Sequence, residues 1–411
     1  MTQSSAVIAP SRREVLRYGA VGLGWLLAGS PLVGCGDDDS FPVPRKKTSN
    51  IANLGPLEAP DANGVRVPTG FQARIVARSS QPPIAGREFR WHVAPDGGAT
   101  FAGGDGGWIY VSNSEYFLPP AYGGVGALRF DAAANVVDAY SLLSGSLMNC
   151  AGGPTPWGTW LSCEEHERGV VWECDPFGRI AAVQRPALGI FSHEAATVDP
   201  LRHQLYLTED VPDGRFYRYS PARLTAAGFP DLDAGVLEVA RVDGGLEGQV
   251  SWHVLADPSA ATTPTRQQVP ESTAFDGGEG IWYHHGIVYF STKGDNRIWA
   301  YDTEAQSIRI HYDDDRFETP VLTGVDNIVI TSDGDILVAE DGGDMQVVAL
   351  TPSGGVVPVA QIVGHPRSEV TGVAFNPAGD RLYFSSQRGA TGRFADGVTY
   401  EVSGPFFVHA M

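Results

Sequence analysis

The sequence predicts an all-β protein, a six-bladed β-propeller with one longer insertion between blades 3 and 4, from its composition and from an internal repeat. Of its 411 residues, 50 are Gly and 29 are Pro, and 43% are hydrophobic. Glycine at this frequency, without a collagen period, favours many short strands joined by tight turns. The hydrophobic content is enough for one large core, and closed β architectures exceed the usual size of a domain.

Six short β-type runs recur along the chain, and each ends in a polar or charged residue. Successive runs begin 50, 46, 83, 48 and 46 residues apart, which matches the 40–50 residues of a four-stranded propeller blade. The long gap places the insertion at about residues 221–270, where PARLTAAGFPDLDAG is compatible with a short helix. A β-sandwich is the alternative, although sandwiches rarely keep so even a period. The runs begin at Tyr110, Trp160, Tyr206, Tyr289, Leu337 and Tyr383.

Residues 1–34 predict a signal for export rather than part of the fold. Arg12 and Arg13 precede a weakly apolar run that ends in LVGC at Cys35, a pattern typical of twin-arginine export joined to lipidation. A transmembrane anchor is the alternative, but this glycine-rich run makes a poor spanning helix. Residues 35–70 are then a lipidated tether and linker, and 71–411 form the propeller. We expect a periplasmic or cell-surface monomer that is held to a membrane only through the lipid on Cys35.

The charge of the chain restricts its partners. Asp and Glu number 48 against 29 Lys and Arg, so the formal net charge is -19. Nucleic acid is excluded as a partner because its phosphates require a basic surface. An acidic chain is instead suited to hard cations, which carboxylates bind.

A second periodicity places polar side chains about 10 to 14 residues before the last five runs. In a propeller the first strand of each blade lines the central channel, so equivalent positions converge on the axis. Carboxylates packed that closely cannot all stay ionised without a cation, and the repeat therefore predicts an axial metal site. The alternative for any single carboxylate is a strand end that is satisfied by backbone amides. The residues at this phase are Cys150, Glu194, Glu279, Asp326 with Asn327, and Glu369.

The cysteines leave two questions open. Cys163 and Cys174 stand on one predicted hairpin, where a cross-strand disulfide and two unpaired thiols are both compatible with export. Cys150, surrounded by small residues, is either a metal-bound thiolate or an inert buried thiol. Carboxylates suit calcium, whereas a thiolate beside them suits a transition ion such as iron. No HxxxH or CxxC pair supports zinc.

Several segments resemble the PhoX-type secreted alkaline phosphatases, above all in CAGG and TPWGTWLSCEE, and the similarity extends over about residues 71–411. The resemblance implies a six-bladed propeller whose axial site holds Fe3+ and Ca2+ and hydrolyses small phosphate monoesters. It implies that Cys150, Glu194 and Glu279 form the catalytic iron cluster, with Cys150 as its bridging thiolate. Further metal ligands would be Glu115, Glu165 and Glu369, to which the repeat adds Asp326. The segments are 149–165, 191–200, 206–219, 277–302 and 326–342.

One position departs from the family pattern. An Arg expected two residues before Glu279 is Gly277 here, which removes a bidentate clamp for phosphate. Lys293, Arg388 and Arg393 are candidates to replace it, and ordinary solvated loop charge is the alternative for each.

Two other functions remain compatible with the sequence. One is a calcium-dependent lactonase or phosphotriesterase-like propeller, which Asp326 and Asn327 would suit but which does not explain Cys150. The other is a non-catalytic lipoprotein propeller in which the axial carboxylates hold structural calcium only.

Overall fold

The computed structural model describes residues 47–119 and 122–409, so the predicted export signal and the predicted lipid on Cys35 lie outside the described residues. Within the described residues the regular structure consists of β-strands and single-turn 3-10 helices. No helix in this part of the chain has the length and apolar character needed to cross a membrane. The all-β prediction is confirmed.

The strands are short and follow one another closely along the chain. In the first half they are β1 (Lys47–Ser49), β2 (Val65–Arg66), β3 (Gln72–Arg78), β4 (Pro95–Ala102), β5 (Trp108–Ser114), β6 (Gly123–Phe130), β7 (Val136–Ser146), β8 (Asn149–Pro154), β9 (Trp160–Glu164), β10 (Val171–Cys174), β11 (Val183–Gln184), β12 (His193–Asp199), β13 (Gln204–Glu209) and β14 (Phe216–Pro221).

The second half continues in the same manner. Its strands are β15 (Gly235–Asp243), β16 (Gly248–Val254), β17 (Gly278–His284), β18 (Ile287–Thr292), β19 (Arg297–Asp302), β20 (Ser307–Asp313), β21 (Val325–Ile330), β22 (Ile336–Glu340), β23 (Gln346–Leu350), β24 (Val356–Ile362), β25 (Val370–Phe375), β26 (Arg381–Ser386), β27 (Val398–Ser403) and β28 (Phe407–His409). The 3-10 turns are Ile51–Asn53, Pro186–Leu188, Thr265–Gln267, Asp314–Arg316 and Phe394–Asp396.

Antiparallel meanders of consecutive strands form the sheets. They are β4–β7, β8–β11, β12–β15, β17–β20, β21–β24 with β2, and β25–β27 with β3, and β16 joins β15 to β20 so that two meanders make one nine-stranded sheet. The innermost strands β4, β8, β12, β17, β21 and β25 contact one another in turn, and β25 returns to β4. Sheets arranged radially around a closed ring of this kind form a β-propeller.

The N-terminal segment closes the ring. Strand β3 pairs with β27, so the sheet that contains the last repeat is completed by the beginning of the chain. Further out, β1 pairs with β28 and β2 pairs with β24, and Ile51 and Val65 are buried against the sheets. Residues 47–70 are therefore part of the folded body, which begins earlier than the predicted boundary at residue 71. Strands of two or three residues leave too little alternation for a sequence pattern to detect.

Two further expectations differ from the structure. The segment PARLTAAGFPDLDAG forms a loop and the start of β15 rather than a helix, and the region 221–270 also contains β16. Cys163 lies opposite Val171, and Cys174 lies opposite Trp160, so the two cysteines do not face each other. Both thiols are free and buried. Of the two alternatives, the disulfide is wrong because the loop places the hairpin in a different register.

Small residues bring the innermost strands close together. A Cβ added to Gly97 would lie 2.5 Å from Cα of Ala151, and one added to Gly280 would lie 2.5 Å from the amide nitrogen of Ile328. The space that remains along this part of the axis is a cavity of about 20 Å3, which is about enough for one water molecule. The ring is therefore nearly filled by its own backbone beside the polar cluster described next.

Candidate metal centre

Equivalent positions of successive meanders bring two sets of side chains to one end of the axis. The inner set occupies the second residue of the innermost strand, and the outer set directly follows the next strand of the same meander. The inner set consists of Asp96, Cys150, Glu194, Glu279 and Asp326. The outer set consists of Glu115, Glu165, Asp210, Lys293, Asp341 and Gln387.

A β-bulge directs each inner side chain. In β12, for example, His193 pairs with Glu209 and Ala196 pairs with Leu207, so Glu194 and Ala195 face a single partner residue. The same shift of register follows the first pair of β4, β8, β17 and β21, and in β25 it follows the second pair. Because a bulge re-aims a side chain and increases the local twist, its repetition turns equivalent residues toward the axis.

Positive φ angles recur at residues that stand two positions before members of the inner set. Ala94 and Met148 have φ values of 45° and 46°, a region that residues with a Cβ rarely adopt. Glycine takes the equivalent places before Glu279 and Asp326, with φ values of 67° at Gly277 and 61° at Gly324. Strain repeated at one structural position is characteristic of a site whose geometry is held by its surroundings.

The last meander departs from the pattern. Thr371 takes the second position of β25, but its hydroxyl donates to the carbonyl oxygen of Pro95 at 2.8 Å. Glu369 lies two residues earlier and directly precedes β25. Its carboxylate accepts from both terminal nitrogens of Arg388, at 3.2 and 3.0 Å. Glu369 therefore reaches the centre from a different backbone position.

Four groups of acidic and thiol side chains follow one another at this centre. In each group one ligand atom per residue lies within 4.8 Å of the others, and neighbouring groups share Cys150, Glu194 or Asp326. All seven site residues predicted from the sequence are therefore brought together. The groups are Asp96, Glu115 and Cys150; Cys150, Glu165 and Glu194; Glu194, Glu279 and Asp326; and Asp326, Asp341 and Glu369.

Burial makes ionisation of this cluster costly. It raises the pKa of Glu165 to about 10, with Glu115 adding to the effect, and raises the pKa of Glu279 to about 7 although Lys293 opposes it. Because carboxylates this close disfavour one another's charge, the bare cluster holds protons that a cation would displace. Burial is likewise the largest cause of the upward pKa shifts of Asp96, Glu115, Cys150, Glu194, Asp326 and Glu369.

Glu194 gives the clearest indication that a cation fits here. Its side chain is fully buried, yet neither carboxylate oxygen has a hydrogen-bond partner. Buried polar atoms without partners are rare because they lose the stabilisation that water would provide. Beside it lie the Cys150 thiol and the Glu165 carboxylate, which are donors that a metal ion would satisfy.

Side chains of one meander support the inner strand of the next. The Asn113 amide donates to the carbonyl oxygens of Cys150 and Ala151 at 3.0 and 2.7 Å. The Thr208 hydroxyl donates to the carbonyl oxygen of Glu279 at 2.6 Å, and the Ser291 hydroxyl donates to that of Asp326 at 2.5 Å. Each supporting residue stands two positions before an outer-set member. Such bonds fix the backbone from which ligands project, and so prepare the site before anything binds.

Comparison with known proteins finds a matching family and similar folds. A family model described as "Alkaline phosphatase PhoX" matches residues 120–173 and 166–313. The matched region belongs to the PhoX-type family. The resemblance inferred from the motifs is confirmed. No curated protein matches the chain.

Solved structures share the fold of this chain at low sequence identity. Pseudomonas fluorescens PhoX, solved in complex with vanadate as a transition state analogue, is 17% identical, with a TM-score of 0.67 over 85% of this chain and 98% of that one. A structural genomics protein of unknown function from Bacteroides thetaiotaomicron is 9% identical, with a TM-score of 0.51 over 85% of this chain and 84% of that one.

Three acidic residues of this centre were missed by the sequence analysis. Asp96 lies 14 residues before Tyr110, the same phase as the other inner residues, so the repeat could have found it. Asp341 and Asp210 end the fifth and third runs, as Glu115 and Glu165 end the first and second. The last residue of every run was therefore a sequence signal that could have located Asp341 and Asp210.

Two of the three candidate cations lie at the centre. Lys293 Nζ is 2.6 Å from both Asp210 Oδ2 and Glu279 Oε1, and Arg388 binds Glu369. Arg393 is exposed on the loop before a 3-10 turn, which fits the alternative of solvated charge. Gln387 donates from one nitrogen to Asp96 and to Glu115, at 2.5 and 2.6 Å.

Adjacent acidic residues in this centre have separate roles. Glu164 accepts the backbone N–H groups of Leu147 and Val170, at 3.0 and 3.2 Å, whereas Glu165 lies with Cys150. We expect Glu164→Ala to lower the free energy of unfolding by about 1–3 kcal/mol, since buried N–H groups lose their acceptor. Glu165→Ala should instead lower the bound metal per chain and leave the metal-free protein at least as stable. Urea unfolding in chelator and metal analysis check the pair, and equal effects on both measurements would contradict the separation.

Proposed function

We propose that this chain is a metal-dependent alkaline phosphatase that hydrolyses small phosphate monoesters at the axial centre. The observation that carries the proposal is the continuous series of four ligand groups through Cys150, in a chain whose matched region belongs to the PhoX-type family. Hydrolysis of a phosphate ester requires positive charge at the phosphoryl oxygens, and such a ligand series can hold several cations side by side.

The proposed metals are Fe3+ and Ca2+. The two groups that share Cys150 combine a thiolate with carboxylates, a donor set that suits a transition ion. The group of Asp326, Asp341 and Glu369 offers carboxylates alone, which suits calcium. When bound, these cations would neutralise charge on the phosphoryl group and on the leaving oxygen. Cys150, Glu194 and Glu279 are the proposed catalytic ligands.

Other residues of the chain orient these ligands and leave one side open. Gln387 bridges Asp96 and Glu115, and the paired nitrogens of Arg388 fix the plane of the Glu369 carboxylate. The Lys293 side chain is 39% exposed, whereas Glu194 is fully buried. A phosphate ester would therefore approach from the outer set, where a cationic side chain meets the solvent.

We also propose that the propeller has six blades and that the chain is exported. Support for six blades is the sixfold recurrence of the bulge and of the outer set, with the nine-stranded sheet counted as two blades. Support for twin-arginine export and for lipidation at Cys35 comes from the motifs of the N-terminal residues. Export of a folded chain would allow metal loading before translocation. The protein would act as a monomer at the cell surface or in the periplasm.

The hydrogen bonds of Asn327 give less support to the lactonase alternative. Its amide nitrogen donates to Asp326 Oδ1 at 2.8 Å, and its amide oxygen accepts from the backbone N–H of Gly372 at 3.2 Å. Both ends of the side chain are engaged within the protein, so Asn327 does not offer an uncommitted oxygen to an axial calcium ion.

The test combines an activity assay with metal analysis of the purified chain. We expect release of p-nitrophenol from p-nitrophenyl phosphate at alkaline pH with added calcium, and we expect iron with calcium in the protein. Chelator should abolish turnover, and a lactone substrate offered in parallel should remain intact. Calcium without iron, together with no phosphatase activity, would refute the proposal.

A further inference from the structure

The outer set interrupts its acidic pattern at Lys293 and at Gln387. Glu115, Glu165 and Asp341 each belong to one of the four ligand groups, whereas Asp210 belongs to none of them. Lys293, from the next meander, lies beside Asp210 instead. Its Nζ atom is 2.6 Å from Asp210 Oδ2 and 2.6 Å from Glu279 Oε1. The ammonium group thus lies beside the acidic outer-set residue that belongs to no ligand group.

The backbone around Gly277 provides room for this lysine. A Cβ on Gly277 would lie 3.0 Å from Cγ of Lys293 and 3.1 Å from Oδ1 of Asp210. The φ value of 67° at Gly277 already disfavours any residue with a Cβ. The backbone N–H of Lys293 donates to the carbonyl oxygen of Gly277 at 2.9 Å, so the stem of the lysine begins against the glycine.

The charges around Lys293 require a cation at this point. The side chains of Asp210 and Glu279 are 10% and 2% exposed, and two buried carboxylates that converge on one point stay ionised together only with positive charge between them. A lysine ammonium is a compact point charge, and the distances of 2.6 Å lie at the upper end of calcium–oxygen distances.

We propose that the Lys293 ammonium is a tethered cation that replaces a divalent ion between Asp210 and Glu279. Metal ions are then confined to the four ligand groups, and Asp210 serves the lysine rather than a metal. This inference rests on the proposed function only in that the centre binds metal ions. It assigns a role to Lys293 that a solvated charge on a loop would not have.

The first experiment counts metal ions per chain by mass spectrometry after dialysis of the whole protein against calcium and removal of excess. We expect Lys293→Met to bind about one more calcium ion than the original chain, because the two carboxylates lose their cation. Lys293→Arg, which keeps the charge, should leave the count unchanged. An unchanged count in a folded Lys293→Met protein would overturn the proposal.

A second variant does not depend on the folding of the first. With Lys293 retained, Asp210→Asn should leave the metal count unchanged, because Asp210 holds no metal. Loss of one ion from Asp210→Asn would overturn the proposal. If circular dichroism shows that Lys293→Met folds only when millimolar calcium is present, calcium takes the place of the missing ammonium charge. That result would support the proposal.

These outcomes are separate from those of the phosphatase assay. The counts are made without substrate, so a chain that binds metals but hydrolyses no phosphate ester still tests Lys293. If the original chain bound no metal at all and Lys293→Met bound none either, both the metal-dependent function and this inference would fail. If metals bind and the counts of original and variant agree, only the inference on Lys293 fails.

Discussion

Replacing Cys150 with alanine is expected to remove the transition ion and to lower phosphatase activity by about a thousandfold. Cys150 is the one residue that belongs to both of the first two ligand groups, so its loss affects Asp96 and Glu115 on one side and Glu165 and Glu194 on the other. A bound metal contributes several kcal/mol to stabilising the charge of the transition state, and each 1.4 kcal/mol corresponds to a factor of ten in rate. Metal content and kcat on p-nitrophenyl phosphate measure the two effects together.

Cys163 provides the matched control for this substitution. It is also a buried free thiol, but it lies on β9 within the hydrophobic core and outside the four ligand groups. Cys163→Ala should lower stability by about 1–2 kcal/mol through the small cavity that it leaves, while metal content and kcat persist. A Cys150→Ala protein that contained no iron and kept full activity would show that the thiol has no part in the reaction.

The repeat in the sequence was sufficient to predict the propeller. All six runs found by pattern lie on the second strand of a meander, and most of their residues are buried. The end of each run therefore marked the outer set. The folded segment before residue 71 was not predictable, since β1 and β2 are too short to carry a period and are stabilised by pairing with distant strands.

The site was predicted in part because its residues recur at one phase. Glu194 and Glu279 occupy equivalent bulges, so spacing alone located them. Glu369 was found at the same approximate spacing although it uses another backbone position, which only the pairing of β25 reveals. Between neighbours such as Glu164 and Glu165, the sequence offers no distinction. The two side chains differ because neighbouring residues of a strand point to opposite sides. Glu164 faces the backbone of the loop, and Glu165 faces the axis.

The contacts of Lys293 could not be predicted from the sequence. Its place at the end of the run YFSTK was visible, yet a charged residue at a loop end is most often solvated. Its pairing with Asp210 and Glu279 depends on the space above Gly277 and on the convergence of two meanders. Distances between blades are properties of the closed ring, so no local pattern contains them.

Removing the metals is expected to reverse the dependence of stability on pH. In the metal-free protein, burial holds the pKa of Glu165 at about 10 and that of Glu279 at about 7, against an ordinary value of 4.5. A carboxyl whose folded pKa is raised binds a proton more tightly in the folded state. Its stabilisation is full below the unfolded pKa and is lost as pH rises through the folded value. We therefore expect metal-free protein to lose several kcal/mol between pH 5 and pH 9.

Metal ions should oppose this loss, because they bind the deprotonated ligands and bind them better as pH rises. The stabilisation by metal, measured as the difference in unfolding free energy with and without chelator, should therefore widen from pH 5 to pH 9. Glu194→Gln should flatten the pH profile of the metal-free protein, since one buried ionisation is removed. Glu304→Gln, at a side chain that is 92% exposed, should leave the profile unchanged. Equal stability of the metal-free protein at both pH values would mean that the cluster ionises freely, and the physical reason for an axial cation would be lost.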